Sequence, residues 1–159
     1  TPQALLTASQ LMSLGARREE IVNHLYRSKS LNVLKLWGRV LARLTGSLDN
    51  KLVWSTLAWS DFLKTSSTEK DLADVIDELI VSIPQAKVIA IIYESKGEPS
   101  RETNLLLYAI KNIDSLSLIK EFNPTGAKSL ARAIVNLPIA QAEPAIISAL
   151  QDKLSKLPL

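Results

Sequence analysis

Two stretches of this chain carry cations at a spacing that suits an anion. The first is FNPTGAKSLARAIV, residues 122–135, where Thr125 and Gly126 open a turn onto a run of small residues. The run reads as the start of a short helix, and backbone amides at a helix start point outward with a partial positive charge. Lys128 and Arg132, four residues apart, fall on one face of that turn and add two formal charges. Thr125, Gly126, Lys128 and Arg132 are therefore the candidate anion contacts of this loop. A capped turn without a ligand uses the same residue types and is the commoner arrangement. One glycine and no GxxxxGK[ST] pattern exclude a P-loop. The second stretch holds Lys35, Arg39 and Arg43 at i, i+4 and i+8, which share one stripe of a helix. Arg17, Arg18, Arg27 and Lys29 precede it. The stripe is either a phosphate-facing strip or the solvated side of an amphipathic helix, a common feature of surface helices.

Catalysis by the chain itself has no visible basis. The one histidine, His24, sits beside Leu25 and Tyr26 on an amphipathic stretch, with no second histidine for a two-histidine site. Asp71, Asp74, Asp77 and Glu78 fall on the polar face of one helix, which reads as a solvated face. Asp49, Asp61 and Asp114 read as loop or cap residues. No serine stands in a GxSxG elbow. The chain has no cysteine, which removes disulfides, zinc–thiolate sites and thiol nucleophiles. The expectation is that this chain supplies no catalytic residue and no metal ligand.

The elements that must position these residues follow from periodicity. Residues 3–14 and 17–28 each show an apolar face at helical spacing, the first stopped by Gly15. Ser30 caps a third helix running to about Leu44, with Leu34, Trp37, Val40, Leu41 and Leu44 as its buried stripe and Gly46 as its stop. The period then changes. KLVWSTLAW, residues 51–59, is rich in aromatic and β-branched residues and reads as a strand. A polar loop ends at Thr68, an N-cap for a helix whose apolar face is Leu72, Val75, Ile76, Leu79, Ile80 and Ile83, stopped by Pro84. KVIAIIYE, residues 87–94, reads as a strand buried on both faces. The turn at 96–102 leads into a strand over 103–110, forming a hairpin. Asp114 caps a helix over 115–121. After the 122–135 loop and its short helix come a brief strand, Ala133 to Val135, and a last helix from near Pro144 to about Leu154. The pattern predicts an α/β fold: one mixed β-sheet packed with helices, preceded by an N-terminal helical segment.

Composition agrees with one folded domain. The chain has 159 residues, 47% apolar, with a formal charge of +3. That charge permits an anionic partner but is too mild for a general nucleic-acid binder. The longest aliphatic run, Val88 to Ile92, is five residues, against about 20 for a membrane helix. No signal peptide is visible, so a cytoplasmic location with no membrane partner is expected. The chain begins at Thr1 rather than Met, as a fragment or trimmed protein would.

Order and local wording together resemble a family. LMSLGARREEIVNHLYRSKSLNVLKLWGRVLARL, residues 11–44, is similar to the stretch that joins the two domains of DHH-family phosphoesterases, the RecJ-like and nanoRNase-like proteins. The rest of the chain resembles their C-terminal DHH-associated domain: a strand and DF pair from Trp54 to Phe62, an acidic helix from Asp71 to Ile83, an apolar strand from Val88 to Glu94, a hairpin strand, the Asp114 helix and a late glycine turn. The resemblance implies that residues 1–45 are a helical linker at the tail of a catalytic domain, and that 46–159 are a substrate-binding domain. The family's metal-binding aspartates and DHH motif belong to the catalytic domain, and no DHH tripeptide occurs here.

Manganese or magnesium is thus expected there, with this chain binding a short oligonucleotide or cyclic dinucleotide and docking the catalytic domain of the same protein. The family's GGGH loop, laid on residues 124–127, keeps only Gly126. Pro124 and Thr125 stand for its first glycines, Ala127 for its histidine and Arg132 for a later glycine. The family's serine- and arginine-bearing strand falls near Leu105 to Ala109, without an arginine. The loop thus reads as the remains of a substrate loop. The alternative on the same fold is a non-catalytic protein-interaction domain, with Trp37, Leu41 and Leu44 facing a partner.

Overall fold

A computed structural model describes residues 30–95 and 101–159. The expected helices over 3–14 and 17–28, with His24, and most of the 96–102 turn lie outside the described residues. The chain runs α1 (Leu31–Ala42), β1 (Thr45–Ser47), β2 (Leu52–Leu57), α2 (Trp59–Thr65), α3 (Leu72–Ser82), β3 (Val88–Tyr93), β4 (Thr103–Ala109), α4 (Ser115–Leu118), β5 (Thr125–Gly126), β6 (Leu130–Val135) and α5 (Ile139–Ser155). Short 3₁₀ turns lie at Glu69–Asp71 and Lys120–Phe122. The strands form one six-stranded mixed sheet in the order β1-β2-β3-β4-β6-β5. Strands β2 and β3 are parallel and the other neighbours antiparallel. A parallel pair needs a long crossover, which α2 and α3 supply.

The sheet separates two apolar layers. On one side Ala90, Ile92, Leu105, Leu107, Ala131 and Ala133 pack against Ala142, Ile146 and Leu150 of α5. On the other, Val53, Leu57, Ile89, Ile91 and Leu106 pack against Leu36 and Val40 of α1, Phe62 of α2, and Leu72, Val75, Ile76 and Leu79 of α3. A strand covered on both faces needs apolar residues throughout rather than in alternation. Strand β3 meets that requirement with VIAIIY, every residue buried. Strand β6 is covered on one face only. It alternates, with Ala131, Ala133 and Val135 buried and Arg132 and Ile134 exposed.

Three local expectations are corrected. The first concerns 127–132, which form no helix: Thr125–Gly126 and Leu130–Val135 are two strands of a tight hairpin. Leu, Ala and Arg favour helix intrinsically, but the ladder from Thr103↔Val135 to Tyr108↔Leu130 draws this stretch into the sheet. Gly126 has φ of +115°, and a Cβ there would lie 2.5 Å from the Leu130 carbonyl oxygen. Gly126→Ala is expected to cost about 1 to 2 kcal/mol in chemical denaturation, because both backbone strain and a clash with main chain oppose it; a stability unchanged within error would refute the hairpin.

The second correction is rotational. Helix α1 is capped by Ser30, whose Oγ accepts from the Val33 amide at 3.3 Å, but it ends at Ala42 and buries Val33, Leu36 and Val40. Leu34 and Leu41 are 44% and 40% exposed. Apolar residues surround much of this helix, so periodicity alone permits either stripe. Ion pairs from Arg39 and Arg43 to Asp61 fix the rotation, and Gly46 lies in β1 rather than closing α1. The third correction is at α5, which opens after Pro138 and carries Pro144 inside it. Pro144 sits one turn in, where it removes one intrahelical bond. Two boundaries also shift: Thr68 precedes the 3₁₀ turn Glu69–Asp71, its amide donating to Asp71 at 2.9 Å, so that Asp71 and not Thr68 stands at the start of α3, and Trp59, expected at the end of a strand, opens α2. Asp114 caps α4 as expected, accepting from the Leu116 amide at 3.0 Å.

Candidate binding cleft and basic groove

Strand register explains where a cleft can form. One row of residues crosses the helix-α3 side of the sheet as Ser55, Ile91, Leu106, Arg132 and Thr125. Its first three members are buried and its last two exposed. The next row runs Leu57, Tyr93, Asn104 and Ile134, ending with Ile134 at 56% exposure. The helical layer therefore covers β2 and β3 and leaves β6 and β5 uncovered on this side. At that edge lies a cleft of about 550 Å³ lined by Glu69, Lys70, Tyr93, Asn104, Phe122, Asn123, Thr125, Arg132 and Ile134, together with Leu105 and Ala133.

Polar groups converge in it. The Tyr93 hydroxyl donates to Glu69 Oε2 at 3.2 Å. Burial, and then the neighbouring Glu69 carboxylate, push the Tyr93 hydroxyl up to about 12, while Arg132 opposes the rise. Tyr93 is therefore a neutral hydrogen-bond donor at physiological pH, not a base. Asn104 Nδ2 donates to Ser95 Oγ at 2.7 Å, which fixes the amide at the rim. Asn123 adopts a left-handed φ of 52°, a conformation asparagine tolerates, and turns the chain from the Lys120–Phe122 turn into β5. Two cations, Lys70 and Arg132, face one carboxylate, Glu69, so the cleft suits an anion. Phe122 adds an apolar wall on which a planar group can rest.

The sequence candidates divide between places. Thr125 and Arg132 are register partners and both line the cleft. Gly126 pairs with Ala131 on the next register position, so its role is to turn the hairpin. Lys128 is exposed at the hairpin tip, where its carbonyl accepts from the Ser115 amide at 2.8 Å. It does not share a helical face with Arg132, because no helix is present, and the helix-start amides expected there are strand and turn amides instead. Glu69, Lys70, Tyr93, Asn104, Phe122 and Asn123 were not among the candidates. The signal for two of them was readable: Tyr93 ends an aliphatic strand, and Asn104 is a polar residue inside one.

Lys35, Arg39 and Arg43 do not reach this cleft. With Gly38, Ala42, Lys64 and Thr65 they line a separate groove of about 600 Å³ between α1 and α2. Beneath it is Asp61, a cap residue that is 1% exposed. Its carboxylate accepts from Arg43 Nη1 at 2.6 Å and Nη2 at 3.0 Å, from Arg39 Nη1 at 3.2 Å and from the Ala58 amide at 2.7 Å. Burial alone would raise the Asp61 carboxyl, but the Arg43 fork, the Ala58 amide and the charge of Arg39 outweigh it and hold it below the usual range. Two cations of the stripe are thus partly structural, locking α1 against α2. Trp37, on the same helix, is half-buried, and its indole Nε1 has no hydrogen-bond partner among the described residues.

Among the described residues no three His, Asp or Glu side chains stand close enough to hold a metal ion, and no helix is long and apolar enough to cross a membrane.

Neither a protein-family model nor a curated protein matches the sequence. Solved structures do match its fold. One is an exopolyphosphatase-related protein from Bacteroides fragilis, with a TM-score of 0.68 at 18% identity over 96% of this chain and 44% of its own. Another is the pGpG-specific phosphodiesterase PggH from Vibrio cholerae, with a TM-score of 0.52 at 11% identity over 94% of this chain and 46% of its own. The chain therefore shares its fold with a part of each of these two proteins and spans less than half the length of either.

Proposed function

We propose that this chain is the substrate-binding module of a DHH-type phosphoesterase, not catalytic by itself, which receives a short oligonucleotide or cyclic dinucleotide in the cleft over β6. The observation that carries the reading is Arg132, exposed on the uncovered part of the sheet beside Tyr93, Asn104 and Phe122. An arginine forks onto phosphate oxygens with charge-assisted hydrogen bonds, Phe122 offers a face to a base, and Asn104 and Asn123 offer amide edges. The fold supports this reading, since both solved proteins of like fold carry phosphoesterase-type names and extend well beyond the part this chain resembles.

On the same reading the manganese or magnesium ion and the attacking water belong to a catalytic domain of the same protein. The cleft would then hold one end of the ligand while the scissile phosphate is presented elsewhere. A cytoplasmic location, in keeping with the absence of cysteine, is part of this proposal.

The experiment is binding of a fluorescently labelled, 5′-phosphorylated dinucleotide to this chain by anisotropy. Arg132→Ala is expected to weaken binding about tenfold or more, in keeping with roughly 1.5 to 3 kcal/mol for a hydrogen bond to a charged group. An affinity untouched by this substitution, or no binding by the unaltered chain, would sink the cleft reading.

A further inference from the structure

We infer that the groove between α1 and α2 is a second anion site that holds a linear chain of phosphates, independently of the cleft over β6. Four cations border it and come from two elements: Lys35, Arg39 and Arg43 from α1, and Lys64 from α2. A stripe on one helix is common on solvated faces. Cations facing one concavity from both walls concentrate positive potential there instead.

The floor is made for close approach. Gly38 and Ala42, one helical turn apart, present almost no side chain. A Cβ added at Gly38 would meet nothing within 4 Å, so the space above the helix is open. The arginines are also held in place. Asp61 takes both terminal nitrogens of Arg43 and one of Arg39, which fixes the two guanidiniums before any ligand arrives and leaves further N–H groups to face it. Asp61 is the carboxylate that Arg39 and Arg43 share, one negative charge between two positive ones, and Lys35 and Lys64 also line the groove. Lys35 and Lys64 flank it as exposed ammonium groups.

The ligand class follows from what lines the groove. Among the described residues that line it there is no aromatic side chain, whereas surfaces that read single-stranded bases stack them on aromatics. Cations one helical turn apart along α1 are separated by about 5 to 6 Å, which suits adjacent phosphates of an extended nucleic-acid strand, or every second phosphate of the more closely spaced inorganic polyphosphate. The shared chemistry is a run of phosphates, whether the backbone of an oligonucleotide or inorganic polyphosphate.

The test uses this chain with a labelled single-stranded hexanucleotide, titrated at several salt concentrations. The double variant Lys35→Ala, Lys64→Ala leaves the Asp61 clamp intact, so its melting temperature is expected to match the parent. Its affinity at low salt is expected to fall about tenfold, and the slope of log affinity against log salt to flatten by roughly 1.4, about 0.7 for each lost phosphate contact on a single strand. The same variant is expected to lose affinity for inorganic polyphosphate, and polyphosphate to displace the hexanucleotide; the tighter of the two ligands identifies the source of the phosphates. An unchanged salt slope in the double variant, or a hexanucleotide that polyphosphate does not displace, overturns the proposal. Arg132→Ala separates the two sites: a loss confined to Arg132→Ala speaks for the cleft and against the groove.

Discussion

Leu106→Ala is expected to destabilise the chain by about 3 to 4 kcal/mol, the largest single effect among these variants. Leu106 is fully buried and belongs to the layer under α3. In the sheet it sits between Ile91 and Arg132, so its side chain marks the boundary where covered core becomes open cleft. Truncating a buried leucine removes its transfer free energy and leaves a cavity that the surroundings only partly fill, at about 2 to 5 kcal/mol. Leu106 is paired on both sides within the sheet, which limits collapse around the cavity and argues for the middle of that range rather than its low end. Urea unfolding checks it. A loss under about 1 kcal/mol would mean that α3 does not close over β4. The same variant reports on binding, because Arg132 is the register partner of Leu106, and a collapsed floor moves the guanidinium.

Asp61→Ala comes next, at about 3 kcal/mol. The carboxylate is buried while both arginines are about 40% exposed on their side chains. Removing one member of a buried pair costs roughly 3 to 5 kcal/mol. Here the low end applies, because the arginines left behind can reach water. The Ala58 amide loses its acceptor as well, which costs the first turn of α2 its cap.

The pH dependence has a definite sign. The Asp61 carboxyl is held below its ordinary value of 3.8 in the folded chain, so its contribution is complete above about pH 4. It is lost as pH falls through the lower folded value. Parent stability should therefore drop more steeply below about pH 4 than that of Asp61→Ala. Parallel acid limbs for the two proteins would show that Asp61 is not charged in the clamp.

Asp61 also shows why the basic stripe could not be settled from sequence. Lys35, Arg39 and Arg43 are legible as a stripe because helical spacing is local. Whether a stripe meets solvent, a ligand or a carboxylate depends on the element across from it, and Asp61 is 18 residues from Arg43. The same applies to the rotation of α1. Its apolar residues fit two stripes, and the clamp to Asp61 together with the bond from Ser55 Oγ to the Val40 carbonyl at 2.7 Å selects one.

By itself the sequence determined the fold class, the apolar helix that became α3, the buried strand β3, the Asp114 and Ser30 caps, and the special place of Gly126. Each rests on short-range physics: β-branched residues in an extended run, helical spacing of apolar positions, a side-chain oxygen at a helix start. It also grouped Thr125 with Arg132, which the structure makes register partners lining one cleft, although the grouping came through a helix that does not exist. The tertiary structure decided that 130–135 is a strand, because pairing with β4 outweighs the helix preference of leucine, alanine and arginine. It decided as well that the helical layer stops short of β6. That shortfall makes the cleft and gathers Glu69, Lys70, Tyr93, Asn104 and Phe122 around Arg132 from separate segments of the chain. Contacts across such sequence distances are set by register and packing, which no local pattern encodes.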